Sequence, residues 1–243
     1  MGLFITFLLG LFFLIGVAVI KLASDKERIE HFSIALAFGS MTALVFFDLL
    51  PELFETFNAK NYLGVILSVL AGILVLKLLD SFIPDHDGHL KEEHTNKEHN
   101  MVHIGIISAI AIVLHNAVEG MSVYSITMES LRQGALLSLG VGLHNIPMGM
   151  LIYATLEKEN RTKRHIVICA ASLSTFLGGL LMALIRPFLS EFVIGILIGI
   201  ALGMILYILI FELIPHLLRQ KKWKVSLLGT ILGILIIFTS FLF

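Results

Sequence analysis

Apolar runs about 20 residues long constrain this chain more than any other feature. Eight stretches qualify, roughly 2–22, 31–53, 61–83, 101–125, 131–156, 164–186, 189–217 and 224–243. A bilayer core about 30 Å thick needs about 20 mostly apolar residues to span as a helix. No stretch alternates polar with apolar over about ten residues, so the spans are helices and not barrel strands. The chain is 57% hydrophobic and 14% charged. A soluble protein of 243 residues could not hide that much apolar surface. The expected fold class is an all-α polytopic membrane protein, with 1–243 forming one transmembrane domain of eight helices.

The first run has no basic region before it and no small-residue cleavage site, and it is long enough to span, so it reads as a helix and not a signal peptide. The single cysteine, Cys169, excludes an internal disulfide and says nothing about compartment. Net charge is −1, and no basic stripe suggests nucleic acid. Eight spans put both termini on one side. The face with the 1–2, 3–4, 5–6 and 7–8 loops holds fourteen Lys and Arg, and the other face holds three, Lys60, Arg132 and Arg186. The positive-inside rule makes the first face cytoplasmic and both termini extracytoplasmic. A chain of this size suits a bacterial inner membrane.

Two segments look like copies: LHNAVEGMSVY (114–124) and LHNIPMGMLIY (143–153). They are 29 residues apart and identical at six of eleven positions. The first lies on helix 4 and the second on helix 5, which run in opposite directions. A weaker echo links FFDLLPEL (46–53) on helix 2 to IFELIPHL (210–217) on helix 7, also an antiparallel pair. Inverted repeats of this kind imply a pseudo-twofold axis in the membrane plane, with a binding site at mid-depth. For helices 2 and 7 alone, a helix-end pattern met twice is the competing explanation.

The motif carries chemistry. His115 and Glu119 stand at i and i+4, on one helix face, and His144 and Met148 repeat that geometry. Each histidine is about midway along its helix, near the bilayer midplane. An ionised carboxylate there costs at least about 2.5–3.5 kcal/mol, and no Lys or Arg lies at that depth to pair it. A divalent cation would. Imidazole and carboxylate suit zinc, iron or manganese, and a thioether adds softness. Pro147 removes an N–H and frees the carbonyl of Leu143. Gly120 and Gly149 permit close helix approach. Asn116 and Asn145 are either further ligands or hydrogen-bond partners of the ligands. The competing reading makes all of these interhelical hydrogen-bond partners, with Glu119 protonated.

Further acids and histidines mark a path. Asp48 and Glu52 lie toward the outer end of helix 2 and attract a cation or sit as ordinary interfacial acids. Glu212 and His216 on helix 7, and Asp80 on helix 3, lie toward the cytoplasmic end as exit-side ligands. The 3–4 loop, 84–100, holds His86, His89, His94 and His99, with His103 just beyond. Their irregular spacing matches no structural zinc motif, so weak metal buffering is the modest reading.

These residues resemble the ZIP family of divalent-metal transporters. The resemblance covers nearly the whole chain and rests on HNAVEG in helix 4, HNIPMG in helix 5, FGSMTALVFFDLLPE in helix 2 and YILIFELIP in helix 7. It implies a three-two-three helix arrangement and a binuclear site midway along a transport path. A first metal position would then use Met41, His115, Glu119 and His144, and a second Asn116 and Asn145. Two positions depart from the family pattern. Met148 stands where an acid often bridges the metals, and Gly179 in FLGGLLMAL stands where helix 6 usually carries one. One high-occupancy ion is expected, with Met148 either a soft ligand or packing.

The expected function is uptake of a divalent transition metal, zinc first, with iron, manganese or cadmium open. The metal is substrate, the bilayer is solvent, and a homodimer stays open. An inside-negative potential of 100 mV is worth about 4.6 kcal/mol to two charges. The chain has no GxxxxGK[ST] loop with which to use ATP. Protons compete for the same ligands, so transport should depend on pH. Two rivals remain. An intramembrane metal-dependent hydrolase lacks its usual HExxH here. A non-transporting metal sensor differs from a transporter only in flux.

Overall fold

The computed structural model describes residues 1–57, 62–82, 93–185, 190–219 and 222–240. Among these, all regular structure is helical. Helix α1 spans Gly2–Leu22. Helix α2 runs over Lys26–Leu44, passes through a π segment at Val45–Leu49 and continues as Leu50–Thr56. Then come α3 (Tyr62–Phe82), α4 (Glu93–Glu129), α5 (Leu131–Thr155) and α6 (Arg161–Ile185). Helix α7 covers Glu191–Tyr207, a π segment at Ile208–Leu213 and Ile214–Arg219, and α8 covers Trp223–Ser240. Seven of these helices are long and apolar enough to cross a membrane, and the last contributes a shorter apolar helix, Trp223–Thr239.

Local sequence sets the helix boundaries. Asp25, Ser130 and Ser190 cap α2, α5 and α7 by accepting from the backbone N–H of Arg28, Gln133 and Val193. Ser130 alone separates α4 from α5, so the two motif-bearing helices are adjacent and turn back on each other. Helix α4 starts at Glu93, before its apolar run. Residues 93–100 are therefore helical backbone and not loop, because EHTNKEHN contains no glycine or proline to stop a helix. His86 and His89 lie outside the described residues.

Both echoes of F-[DE]-L-[LI]-P fold the same way. Pro51 and Pro215 lack the N–H that an α-helix needs, and their rings crowd the carbonyl four residues back. The turn before each proline widens to i→i+5 bonding. Leu50 N–H reaches the Val45 carbonyl, and Ile214 N–H reaches that of Leu209. Asp48 lies in one π segment and Glu212 in the other. Helix α5, by contrast, stays α-helical through Pro147.

The helices pair by glycine. A Cβ on Gly120 would lie 1.9 Å from the Thr175 carbonyl oxygen, and one on Gly178 would lie 1.9 Å from that of Ala117. So α4 and α6 touch backbone to backbone. Gly16 and Gly149 do the same for α1 and α5, Gly39 and Gly233 for α2 and α8, and Gly72 and Gly203 for α3 and α7. Small residues at crossings replace the hydrophobic drive that lipid cannot supply. Helices α1, α4, α5 and α6 pack mainly with one another, as do α2 with α8 and α3 with α7. The groups meet where α5 crosses α2 and α8, and where α4 crosses α7. Leu63, Ile166 and Leu184 point outward, as a lipid-facing surface requires.

Candidate metal centre

Helices α4 and α5 bring the duplicated motif together. Glu119 Oε1 lies 2.7 Å from His144 Nε2 and 3.8 Å from His115 Nε2. The imidazole centroids are 6.1 Å apart. All three side chains are buried, His115 at 1% exposure, His144 at 3% and Glu119 at 9%. One ligand atom from each lies within 4.8 Å of the others, a spacing that fits one metal ion. Both ring nitrogens of His115 and Oε2 of Glu119 have no hydrogen-bond partner among the described residues. Buried polar atoms are rarely left so, and a bound cation is one partner that would satisfy them.

The remaining motif residues divide. Asn116 donates through Nδ2 to the Ala171 carbonyl of α6 at 3.3 Å, while its Oδ1 has no partner. Asn145 is fully buried, and neither amide atom is bonded. Both asparagines therefore keep an amide oxygen without a hydrogen-bond partner beside the histidines. Met41 and Met148 are fully buried and join the same apolar core. Gly179 faces α1: a Cβ there would lie 2.8 Å from Thr6 Oγ1, so Thr6 takes up the room an acidic side chain would need.

A cavity of about 380 Å³ opens onto His115 and Glu119. Its polar lining is Asp48, Glu52 and Glu55 from α2 and Ser122 from α4, and Leu137 and Val141 of α5 supply part of the apolar wall. With Glu119 this gathers four carboxylates, and among the described residues no Lys or Arg lines the space. Such a lining concentrates cations. Glu55 and Ser122 escaped the sequence reading. The signal was there: 48, 52 and 55 stand three and four residues apart on one helix face, as do 115, 119 and 122.

A second cluster forms at the other end of α4. His103 Nε2 lies 2.7 Å from Asp80 Oδ1 and 3.9 Å from Glu212 Oε1, and Tyr207 donates its phenol to Asp80 Oδ2 at 2.6 Å. Asp80, His103 and Glu212 also have metal-binding spacing. Asp80 and Glu212 were read as exit-side acids, whereas His103 and Tyr207 were not singled out as partners. Partly buried His216 follows Glu212 by one turn. His94 and His99 lie on the polar first turns of α4.

Residues 84–240 match the sequence model of the family described as ZIP Zinc transporter. The chain belongs to the ZIP family. It is similar to the zinc transporter ZupT of Stenotrophomonas maltophilia, 27% identical over 114 residues, or 43% of this chain and 42% of that protein. It is 27% identical over 136 residues to ZupT of Neisseria meningitidis serogroup B, covering 52% and 51%. ZupT of Xanthomonas campestris pv. campestris is 28% identical over 121 residues, covering 46% and 44%. The chain spans about half the length of these relatives, or slightly less. The ZIP match includes α4 and α5 with both copies of the histidine motif.

Proposed function

We propose that this ZIP protein moves a divalent transition metal, zinc first, across the membrane into the cytoplasm. One observation carries the reading: a buried carboxylate, Glu119, sits between His115 and His144 at the end of an acid-lined cavity. The relatives' name, zinc transporter, supports zinc as the ion. Iron, manganese and cadmium suit the same ligands.

The proposed path starts at Asp48, Glu52 and Glu55, which draw the ion in and share its hydration shell. The ion sheds water onto His115, Glu119 and His144, between α2, α4 and α5. Met41 and Met148 are proposed as thioether ligands, and Asn116 and Asn145 as amide ligands or partners of ligands. The packing of Thr6 against Gly179 favours a single ion. Asp80, His103, Glu212 and His216 form the inner station, and His94 and His99 on the start of α4 buffer released metal. His86 and His89 would join them. In this reading eight helices cross the membrane with both termini outside, as inverted repeats. The shared π segments of α2 and α7 support that repeat.

The test is zinc accumulation by vesicles containing purified protein, under an inside-negative potential. Wild-type vesicles should accumulate the ion and Glu119→Gln vesicles should not. Binding without accumulation by the wild type overturns transport and leaves a metal sensor.

A further inference from the structure

Asp80 has both oxygens engaged. Oδ1 meets His103 of α4 at 2.7 Å, and Oδ2 accepts from Tyr207 of α7 at 2.6 Å. With Glu212 Oε1 3.9 Å from the same imidazole nitrogen, three helices are tied at one point. His103 precedes His115 by twelve residues, about 18 Å along α4. The helix between them is packed: Ile107, Ser108, Ala111 and Ile112 are fully buried. The cavity that reaches His115 comes from the opposite end, past Asp48 and Glu52. An ion leaving toward Asp80 must therefore part this tie.

The backbone explains why Tyr207 takes part. On an α-helix, residues five apart point about 140° away from each other. Tyr207 and Glu212 are five apart, yet both reach the Asp80–His103 pair. The π segment Ile208–Leu213, bonded i→i+5, brings them toward one face. Tyr207 is the last residue before that segment. It meets Asp80 through one hydrogen bond, which a cation at that oxygen would displace.

We propose that Tyr207 latches the inner end of the path, its phenol holding Asp80 turned toward His103 so that α3, α4 and α7 stay closed on one another. Tyr207 acts through Asp80 and is a positioning residue. Its consequence for flux rests on the transport reading above, but the closure itself does not.

A thiol reporter tests it. Cys169→Ser removes the native thiol, and Ser108→Cys places one in the packed stretch between the two clusters. The full-length protein is put into vesicles, and a membrane-impermeant maleimide is added to each side in turn. A hydrogen bond to a charged group is worth at least about a tenfold change in equilibrium. Labelling from the Asp80 side should therefore rise at least about tenfold on adding Tyr207→Phe, with labelling from the other side unchanged. Asp80→Ala removes the same bond from its other end and should do likewise, which covers a failure of the phenylalanine variant to fold. Equal labelling rates with and without the latch overturn the proposal. Zinc uptake is measured on the same vesicles. Absent uptake by the parent protein overturns transport, and the labelling comparison still decides the latch.

Discussion

Glu119 and His144 face each other at 2.7 Å across the α4–α5 contact, acid against imidazole, with His115 Nε2 3.8 Å from the same carboxylate oxygen. Neither helix can satisfy its own motif alone. The single-residue link at Ser130 makes them neighbours, and the reciprocal glycines of α4 with α6 and α5 with α1 fix the two outer helices behind them.

That pair makes two substitutions behave differently. His144→Ala leaves a buried carboxylate without its nearest partner, and losing one side of such a pair costs about 3–5 kcal/mol. Glu119→Gln keeps the shape and removes the acid instead. Thermal unfolding of metal-free protein in detergent should show His144→Ala well below Glu119→Gln. Both should lose zinc binding by calorimetry, by more than the roughly 10–100-fold that partners of ligands cost.

The glycine contacts predict where methyl groups are not tolerated. Gly120→Ala and Gly178→Ala each drive a Cβ to 1.9 Å from a backbone carbonyl of the facing helix. Backbone cannot step aside as a side chain can, so α4 and α6 must separate, at a cost of about 1–3 kcal/mol or more. The separation also breaks the bond from Asn116 to the Ala171 carbonyl. Lower unfolding temperatures and weaker zinc binding should appear together in both variants. Gly179→Ala meets the side chain of Thr6 instead and should cost less.

The acids of α2 act at a distance from His144. Replacing Asp48, Glu52 and Glu55 together by their amides keeps shape and removes three charges from the cavity. Steering of this kind shows in rate and in salt dependence. Uptake at low zinc should fall, and the fall should shrink as salt rises. Uptake at saturating zinc should change less.

The helices and the core of the central His–Glu cluster were legible because each depends on residues close in sequence. Twenty apolar residues announce a span, and His115 and Glu119 share a face by spacing alone. What escaped depends on partners far apart. Asp80, His103, Tyr207 and Glu212 come from three helices, and no periodicity links them. The π segments escaped for another reason. An extra residue in a turn leaves composition unchanged, and the prolines that cause it read as ordinary helix-end signals. The helical start of α4 was hidden because EHTNKEHN has no apolar run to mark it.

Met148 offers the sharpest test of how many ions the centre holds. It follows His144 by one turn, is fully buried, and stands where the family often has an acid. Met148→Glu would add a second buried carboxylate near Glu119. Without metal, a second carboxylate beside Glu119 in a dry site adds like-charge repulsion. The metal-free variant should therefore unfold at lower temperature than wild type. Zinc reverses the balance, because a ligand that binds only the folded state stabilises it in proportion to its affinity. The zinc-dependent rise in unfolding temperature should be larger in Met148→Glu than in wild type. Calorimetry then separates two cases. One ion per chain means that Thr6 against Gly179 keeps the second position closed whatever stands at 148. Two ions mean that the missing acid alone had closed it. Competition with cadmium reports the thioether directly: loss of a soft ligand should shift preference toward zinc, and an unchanged preference would assign Met148 to packing.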